Sequence, residues 1–305
     1  MAQAYAVVLQ GLGVAFTVVG RSALAAETFR QATGVPVLAG GLGVALARLP
    51  VPKQAIAAVG VEQLASVSQQ LIAAGCRQIL LEKPGAMHLA ELEAMAAAAL
   101  PHGASVFIAY NRRFFASVKK LRQLVIDDGG ITSAVFEFTE WSQSIRPLQK
   151  PPGVKERWLL ANSTHVLDLA FSFIGLPAAG QWRSWHSGTI DWHPAAARFH
   201  GAGLSEQGIH FSYQADWAAP GRWGVELLTR QNRYLLRPLE MLQAIPLGSV
   251  DPLPIALDDA LDKQFKPGLY MQCEAFLNGH TQLFCSLAQQ LKAFPIYERI
   301  AGYAP

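Results

Sequence analysis

Two side chains that could carry acid–base chemistry lie in short polar motifs beside apolar segments. Lys83 belongs to Glu82-Lys83-Pro84-Gly85, which directly follows the apolar run at 78–81. Pro84 fixes its own φ and favours an extended backbone at Lys83, so the turn can point the ammonium in one direction. The ammonium is then held pointing into the expected cleft. The alternative is an ordinary solvated turn, for which Glu-Lys-Pro is a common composition.

The second such side chain, His165, belongs to a polar stripe on an apolar helix predicted over 158–174. Asn162, His165 and Asp168 are spaced three residues apart and therefore share one face. Buried polar groups without partners cost about 1–3 kcal/mol each, so the stripe needs partners. A lone histidine here could be a core residue with its hydrogen bonds satisfied. Beside a lysine-bearing cleft we interpret His165 as a functional residue rather than a core one. Asn162 and Asp168 are predicted to bind substrate, although Asp168 could simply orient a neighbour.

A third motif, Tyr110-Asn-Arg-Arg-Phe114, follows the apolar strand predicted over 105–109. Asn111 and Arg112 are predicted to line the same edge as the lysine motif and to bind substrate. The alternative is a helix N-terminus capped by Asn111 with surface arginines. For Arg113 we favour that surface position.

The elements that position these motifs indicate two domains. Over residues 1–112, buried strands alternate with helices across short links, which is typical of a doubly wound parallel, Rossmann-like α/β sheet. Ligands bind beyond the carboxyl ends of strands in such sheets, where two of the motifs lie. Residues 113–305 combine the histidine helix with segments spaced like antiparallel strands. They predict an α+β domain with an open, mainly antiparallel sheet that binds substrate and forms oligomers.

Composition excludes several classes of protein. The chain has 305 residues, of which 51% are hydrophobic and 15% charged, so it is globular rather than disordered. Its net charge of +3 is dispersed, which argues against a nucleic-acid partner. Three separated cysteines fit a reducing compartment, and we expect a cytoplasmic protein. Residues 1–20 are uncharged, but they lack a basic start and are interrupted by glycines, so we favour a buried helix (2–10) and strand (14–19) over a signal peptide or membrane span.

The three motifs, in this order, resemble those of the glucose–fructose oxidoreductase/inositol dehydrogenase (Gfo/Idh/MocA) family, and the resemblance spans nearly the whole chain. It implies hydride transfer between a nicotinamide and a hydroxyl carbon of a sugar, sugar nucleotide or cyclitol. Lys83 matches the family lysine that contacts substrate and nicotinamide, and His165 matches the proton-transferring histidine. Where many members carry an aspartate four residues before that histidine, this chain has Ala161, with Asn162 adjacent.

The resemblance also assigns the cofactor, NADP or NAD. Arg21 and Ser22 occupy the place that reads the adenosine ribose, and an arginine there accommodates a 2′-phosphate, which favours NADP. Nearer the nicotinamide, the assigned residues are Gly60, Val61, Glu62, Glu82, Lys83 and Pro84.

The first strand and GxGxxG loop of the family have no counterpart in this sequence. Gly11-Leu-Gly13 and Gly40-Gly-Leu-Gly43 fail the spacing; neither links a strand to a helix in our prediction, and we interpret both as turns. Two explanations for this gap stay open: an N-terminal truncation, and a natural variant that has lost tight cofactor binding. We expect weak or absent NAD(P) binding by this chain as given. An alternative function is therefore a non-catalytic sugar-binding protein. A hydrolase or lyase using nicotinamide transiently is disfavoured, because it would need tightly held cofactor.

Aromatic residues supply the remaining expectations. Trp158, with Lys155 and Arg157, could bind a charged, ring-containing ligand, or could anchor a surface loop. Aromatic residues on the uncovered face of an open sheet often pack against a second copy, so we expect a homodimer or homotetramer through the C-terminal sheet. The tryptophans concerned are Trp182, Trp185, Trp192, Trp217 and Trp223.

Overall fold

A computed structural model of the protein describes residues 1–303. The helices in this range are α1 (Ala2–Gly11), α2 (Ala23–Thr33), α3 (Gly41–Arg48), α4 (Leu64–Ala74), α5 (Leu89–His102), α6 (Ala116–Asp127), α7 (Ser142–Ile145), α8 (Thr164–Ile174), α9 (Ala260–Gln264), α10 (Leu269–Leu277) and α11 (Leu287–Ala301). The strands are β1 (Val18–Gly20), β2 (Val37–Ala39), β3 (Gln54–Ala57), β4 (Gln78–Leu81), β5 (Ser105–Ile108), β6 (Ser133–Phe138), β7 (Pro177–Ser187), β8 (Arg198–Ser205), β9 (His210–Asp216), β10 (Trp223–Leu228), β11 (Asn232–Leu236), β12 (Gln243–Pro246), β13 (Leu253–Pro254) and β14 (Cys285–Ser286).

The described chain divides into two compact units, and the fold is mixed α/β as predicted. Unit 1 contains residues 1–111 and 260–291 and carries a parallel, Rossmann-like sheet. Unit 2 contains 112–259 and 292–303 and carries a larger, mostly antiparallel sheet.

In unit 1, β3, β4 and β5 pair in parallel, and β14 adds to the far edge of β5 in the antiparallel sense. The core of this sheet is the apolar run Ile79–Leu81, which is fully buried. A continuous apolar run is what a strand covered on both faces requires. Strands β1 and β2 form a separate parallel pair.

Glycines end the helices of unit 1 where the sequence indicates. Helix α4 stops at Gly75, which has a left-handed φ of 100° and donates its N–H to the last turn. Helix α2 begins at Ser22, whose hydroxyl accepts the N–H of Ala25 at 3.2 Å. These two ends fix the links into β4 and out of β1.

The strand predicted over 14–19 is shorter in the structure, where β1 spans 18–20 and pairs with β2 over three residues. The Gly40–Gly43 segment joins β2 to α3, but β2 and β3 are not paired in the described residues, so the segment does not open a βαβ unit of one sheet. Gly40 and Gly41 have φ values of 110° and 83°, which reverse the chain within two residues.

Unit 2 is built on a sheet whose strand order is β13-β12-β11-β10-β6-β9-β8-β7. All neighbours are antiparallel except β6 and β9, which are parallel. Strands β10 and β11 form the hairpin predicted around 230–232. Helix α8 covers β6, where Phe171 meets Phe136 edge-on at 5.5 Å between ring centroids.

Most of the tryptophans expected on an uncovered sheet face are in fact core residues. Trp217 stacks on Trp192 at 5.4 Å, and both are buried. Trp182 and Trp223 are buried too, whereas Trp185 is 58% exposed. The oligomer stays a prediction, and of the five only Trp185 is accessible to a partner.

In residues 1–303, no helix combines the length and the apolar character needed to cross a membrane. Within the same range the three cysteines are buried free thiols.

Candidate active site

The lysine motif of unit 1 forms a tight turn at the carboxyl end of β4. The N–H of Gly85 donates to the carbonyl of Glu82 at 3.0 Å, and the Lys83–Pro84 peptide bond is cis. Gly85 has a φ of 88°, and a Cβ there would lie 2.7 Å from Cδ1 of Ile108. Only glycine fits this position, because both its backbone conformation and the space around it exclude a side chain.

Two distant side chains fix this turn from either side. The Tyr5 hydroxyl of α1 donates to Oε1 of Glu82 at 2.8 Å, and Nε2 of Gln290 in α11 donates to the Pro84 carbonyl at 2.9 Å. Burial raises the pKa of Tyr5 well above its usual value, and the Glu82 charge adds to the effect. Tyr5 therefore stays a hydrogen-bond donor, and the backbone around Lys83 is set by buried contacts.

Asn111 follows β5, the parallel neighbour of β4, so it lies at the same sheet edge as the lysine turn. Its Nδ2 donates to the Pro267 carbonyl at 2.9 Å, and the residue is 3% exposed. The capping alternative is wrong, because the next α-helix, α6, has Phe115 as its N-cap. Substrate binding by Asn111 stays a prediction.

The residues predicted to read the adenosine ribose follow β1. Arg21 is exposed, and Ser22 caps α2. A cavity of about 520 Å³ lies against the first turns of α1 and α2; its lining includes Gln3, Ser22 and Thr28. Recognition of an adenosine ribose by Arg21 and Ser22 stays a prediction. The described chain has no glycine turn of GxGxxG spacing to cradle a pyrophosphate.

The other predicted cofactor residues lie beyond the carboxyl end of β3. Gly60 precedes a short 3₁₀ turn, Val61–Gln63. A Cβ at Gly60 would overlap the Glu62 carboxylate, so the close approach of these two residues depends on glycine. Contact of this turn with a nicotinamide ribose stays a prediction.

In unit 2, the helix predicted over 158–174 begins with a π-helical turn, Leu159–Ser163, and continues as α8. Two consecutive side chains of this turn contact one carboxylate. Nδ2 of Asn162 and Oγ of Ser163 donate to Oε1 of Glu140 at 2.9 and 2.7 Å. Glu140 is 3% exposed. It is not among the residues selected from sequence, although an acidic residue two positions after the end of β6 was an available signal.

His165 lies one turn beyond and is 5% exposed. Its ring centroid is 6.0 Å from that of Trp223, at the start of β10. The guanidinium carbon of Arg112 lies 5.1 Å from the same indole ring, and that of Arg222 lies 5.0 Å from it. Trp223 pairs with Phe138, the last residue of β6, so Glu140 leaves the sheet beside it.

These contacts define the edge cluster of unit 2: Arg112, Glu140, Asn162, His165 and Trp223. The cluster brings together three of the side chains predicted from sequence, namely Arg112, Asn162 and His165. It joins a titratable imidazole to a cation, a carboxylate and an amide, which suits recognition of a polar ligand with an exchangeable proton. The predicted meeting of Lys83 with His165 stays a prediction.

Asp168 has a different partner from its neighbours on the predicted stripe. Nε and Nη2 of Arg113 donate to its two carboxylate oxygens at 2.8 and 2.7 Å. The surface position expected for Arg113 is wrong, because a nearly buried carboxylate on α8 needs a counter-charge; the Arg113 side chain is only 12% exposed. Burial raises the pKa of Asp168, and Arg113 opposes that shift. The orienting role accounts for these contacts, and substrate binding by Asp168 stays a prediction.

Trp158 is buried, and its ring meets that of Trp192 edge-on at 6.1 Å between centroids. It therefore anchors its segment in the core of unit 2. Of its charged neighbours, Lys155 donates to the Arg146 carbonyl at 2.7 Å and Arg157 pairs with Glu298. Ligand binding by Trp158 stays a prediction.

Comparison with known proteins yields matches in structure alone. No protein-family model matches the chain, and no curated protein matches it. Among solved structures, UDP-N-acetylglucosamine 3-dehydrogenase GnnA from Acidithiobacillus ferrooxidans is similar at 15% identity and a TM-score of 0.75, covering 100% of this chain and 94% of that one. A levoglucosan dehydrogenase in complex with NADH and levoglucosan is similar at 16% identity and a TM-score of 0.75, and the match covers 100% of this chain and 94% of that one. An oxidoreductase from Agrobacterium radiobacter in complex with NAD⁺, L-tartaric acid and magnesium is similar at 14% identity and a TM-score of 0.78, and the match covers 99% of this chain and 93% of that one. At such identities the similarity shows the fold, over essentially the full length of the chain.

Proposed function

We propose that this chain is an NAD(P)-dependent oxidoreductase that transfers a hydride to or from a hydroxyl carbon of a sugar, sugar nucleotide or cyclitol. The observation that carries the proposal is the lysine turn. Lys83 follows a central parallel strand at its carboxyl end, between the Glu82 carboxylate, which is bonded by Tyr5, and the Pro84 carbonyl, which is bonded by Gln290. The structurally similar proteins support it, because their names describe dehydrogenases of sugar-like compounds and complexes with NADH or NAD⁺.

The chain's own residues would divide the work. The Lys83 ammonium would stabilise negative charge on the substrate oxygen. The His165 imidazole would take or return the hydroxyl proton. A bound nicotinamide supplies the acceptor or donor of the hydride. Arg21 and Ser22 would recognise the adenosine ribose, and the arginine favours NADP over NAD.

A second candidate, a non-catalytic sugar-binding protein, is favoured by one observation. In the described residues β1 and β2 are not hydrogen-bonded to β3–β5, and no glycine turn of GxGxxG spacing joins a strand to a helix. Tight pyrophosphate binding at a helix N-terminus depends on such a turn. We therefore expect this chain to bind NADP weakly.

The test combines turnover with binding. Nicotinamide absorbance is followed with NADP⁺ and NAD⁺ over a panel containing D-glucose, myo-inositol, levoglucosan and UDP-N-acetylglucosamine. We expect turnover of at least one compound, and a loss of about 10²-fold or more in kcat for Lys83→Ala. The matched control, Lys120→Ala, alters an exposed lysine of α6 and should leave kcat unchanged. No turnover together with calorimetric sugar binding would support the second candidate, whereas neither turnover nor sugar binding would contradict both.

A further inference from the structure

We propose that Glu140 is a positioning residue that fixes the Asn162 amide for recognition of a substrate hydroxyl adjacent to the reacting one. The inference rests on the proposed function, in that the edge cluster of unit 2 is taken to bind the sugar-like substrate. It narrows the substrate class to compounds carrying a vicinal diol.

The first step is the orientation of the amide. An ionised carboxylate can only accept hydrogen bonds. The NH₂ group of Asn162 faces Glu140, since its Nδ2 donates to Oε1 at 2.9 Å. The Asn162 carbonyl oxygen is then the group that faces away from Glu140. It is an acceptor, so its complement on a ligand is a donor such as a hydroxyl.

The second step is the rigidity of the turn that carries Asn162. Adjacent side chains on a regular α-helix point about 100° apart, yet Asn162 and Ser163 reach the same carboxylate oxygen. Both side chains lie on a π-helical turn, a feature that is frequent at functional sites. Its first residue is also tethered, because the N–H of Leu159 donates to the Tyr303 hydroxyl at 3.2 Å.

The third step is accessibility. Glu140 and Ser163 are 3% and 0% exposed, whereas Asn162 is only partly buried. Of the three bonded side chains, Asn162 is therefore the one that a ligand can reach. The buried carboxylate acts through it.

The fourth step is the spacing from Asn162 to His165. Asn162 is the fourth residue of the π-helical turn and His165 is the second residue of α8, so the two side chains leave the helix within about one turn of each other. An acceptor and an imidazole at that separation can engage two hydroxyls on adjacent carbons. His165 would handle the hydroxyl that changes oxidation state, and Asn162 would accept from its neighbour.

The experiment crosses substitutions with deoxy substrates. D-glucose and levoglucosan are compared with their monodeoxy analogues in the wild type, Glu140→Gln, Asn162→Ala and, as matched control, Ser163→Ala. We expect the wild type to lose about tenfold or more in kcat/KM when the adjacent hydroxyl is missing. This loss is called the deoxy penalty.

Glu140→Gln keeps the size of the side chain, but the new amide can donate as well as accept, so the Asn162 amide is free to turn. It should raise KM for the hydroxylated sugar more than it lowers kcat, and shrink the deoxy penalty as Asn162→Ala does. Ser163→Ala should keep the penalty.

The outcomes separate this inference from the proposed function. Turnover by the wild type with an unchanged deoxy penalty in Glu140→Gln would overturn the inference and leave the function standing. A fall in melting temperature for Glu140→Gln without a change in the penalty would do the same, since it indicates a structural role. If no sugar is turned over, the same penalty is measured as calorimetric Kd, and absence of sugar binding would overturn the inference as well.

Discussion

At the scale of single residues, the ion pair of Arg113 and Asp168 shows how a polar stripe is accommodated on an apolar helix. The carboxylate is almost fully buried and accepts two hydrogen bonds from one guanidinium. A second cation is close in electrostatic terms: burial lowers the pKa of Arg122 to about 10, with Arg113 adding to the effect and Asp168 opposing it. The negative charge of Asp168 therefore offsets the positive charges of both Arg113 and Arg122.

We expect Asp168→Asn to lower the free energy of unfolding by about 3–5 kcal/mol, because it leaves buried guanidinium charge without a counter-ion. Urea denaturation monitored by circular dichroism measures this. The matched control is Asp191→Asn, which breaks the exposed pair with Arg146, whose side chains are 63% and 58% exposed. That change should cost less than about 1 kcal/mol. Equal effects of the two substitutions would contradict the role assigned to burial.

At the scale of elements, the π-helical turn before α8 is tied to a buried histidine. The Tyr303 hydroxyl accepts from the N–H of Leu159 and lies 2.8 Å from Nε2 of His193. Nδ1 of His193 lies 2.7 Å from the Ala196 carbonyl, so Nδ1 carries the proton and Nε2 accepts from Tyr303. Burial lowers the pKa of His193 below its usual 6.5.

This lowered pKa predicts a loss of stability on acidification. As the pH falls below about 6.5, the unfolded chain binds a proton at residue 193 that the folded chain does not, so the free energy of unfolding decreases until the folded pKa is reached. At pH values well above 6.5, His193 is neutral in both the folded and the unfolded chain and adds nothing to the pH dependence of stability. We expect His193→Asn to have a flatter melting-temperature profile than the wild type between about pH 7 and 5. His200→Asn, at an exposed histidine of β8, should keep the wild-type slope; parallel profiles for the wild type and His193→Asn would contradict the assignment.

The elements that sequence predicts well are those with strong local signals. Strand β4 occupies the apolar run at 78–81, because polar residues bound that run on both sides. Strand β14 has no such signal. It has two residues and forms because β5 offers them an edge, which no local pattern reveals.

The same distinction explains what sequence revealed of the candidate site. Lys83, Asn162 and His165 were selected because polar residue types interrupt apolar elements. Glu140, Tyr5 and Gln290 were not, since their roles arise from contacts across 22, 77 and 206 positions of the chain, respectively. Residue type marks where chemistry can occur, whereas the residues that fix its geometry depend on tertiary structure.

At the scale of the whole molecule, unit 1 is assembled from two separate segments of the chain. Residues 260–291 return to complete it: β14 extends the parallel sheet, and the Phe276 carbonyl accepts from Nε2 of Gln54 at 3.1 Å. The Pro267 carbonyl accepts from Asn111, and Gln290 donates to Pro84. The lysine turn therefore depends on a segment far away in sequence, because Gln290 and Pro84 are 206 positions apart.

We expect residues 1–111 alone to lack cooperative folding, because this fragment leaves the edge of β5 and the buried face of Tyr5 open to water. A fusion of 1–111 to 260–291 through a flexible linker should unfold in one transition, since it restores β14 and α10 against their partners. Thermal circular dichroism distinguishes the two, and hydrogen exchange at the Gly85 amide, which donates to Glu82, reports on the lysine turn. The same fusion with Gln290→Ala should unfold in one transition but protect Gly85 less, because the Pro84 carbonyl loses its donor. A fragment 1–111 that melts as cooperatively as the fusion would show that the returning segment is not needed to build this half of the fold.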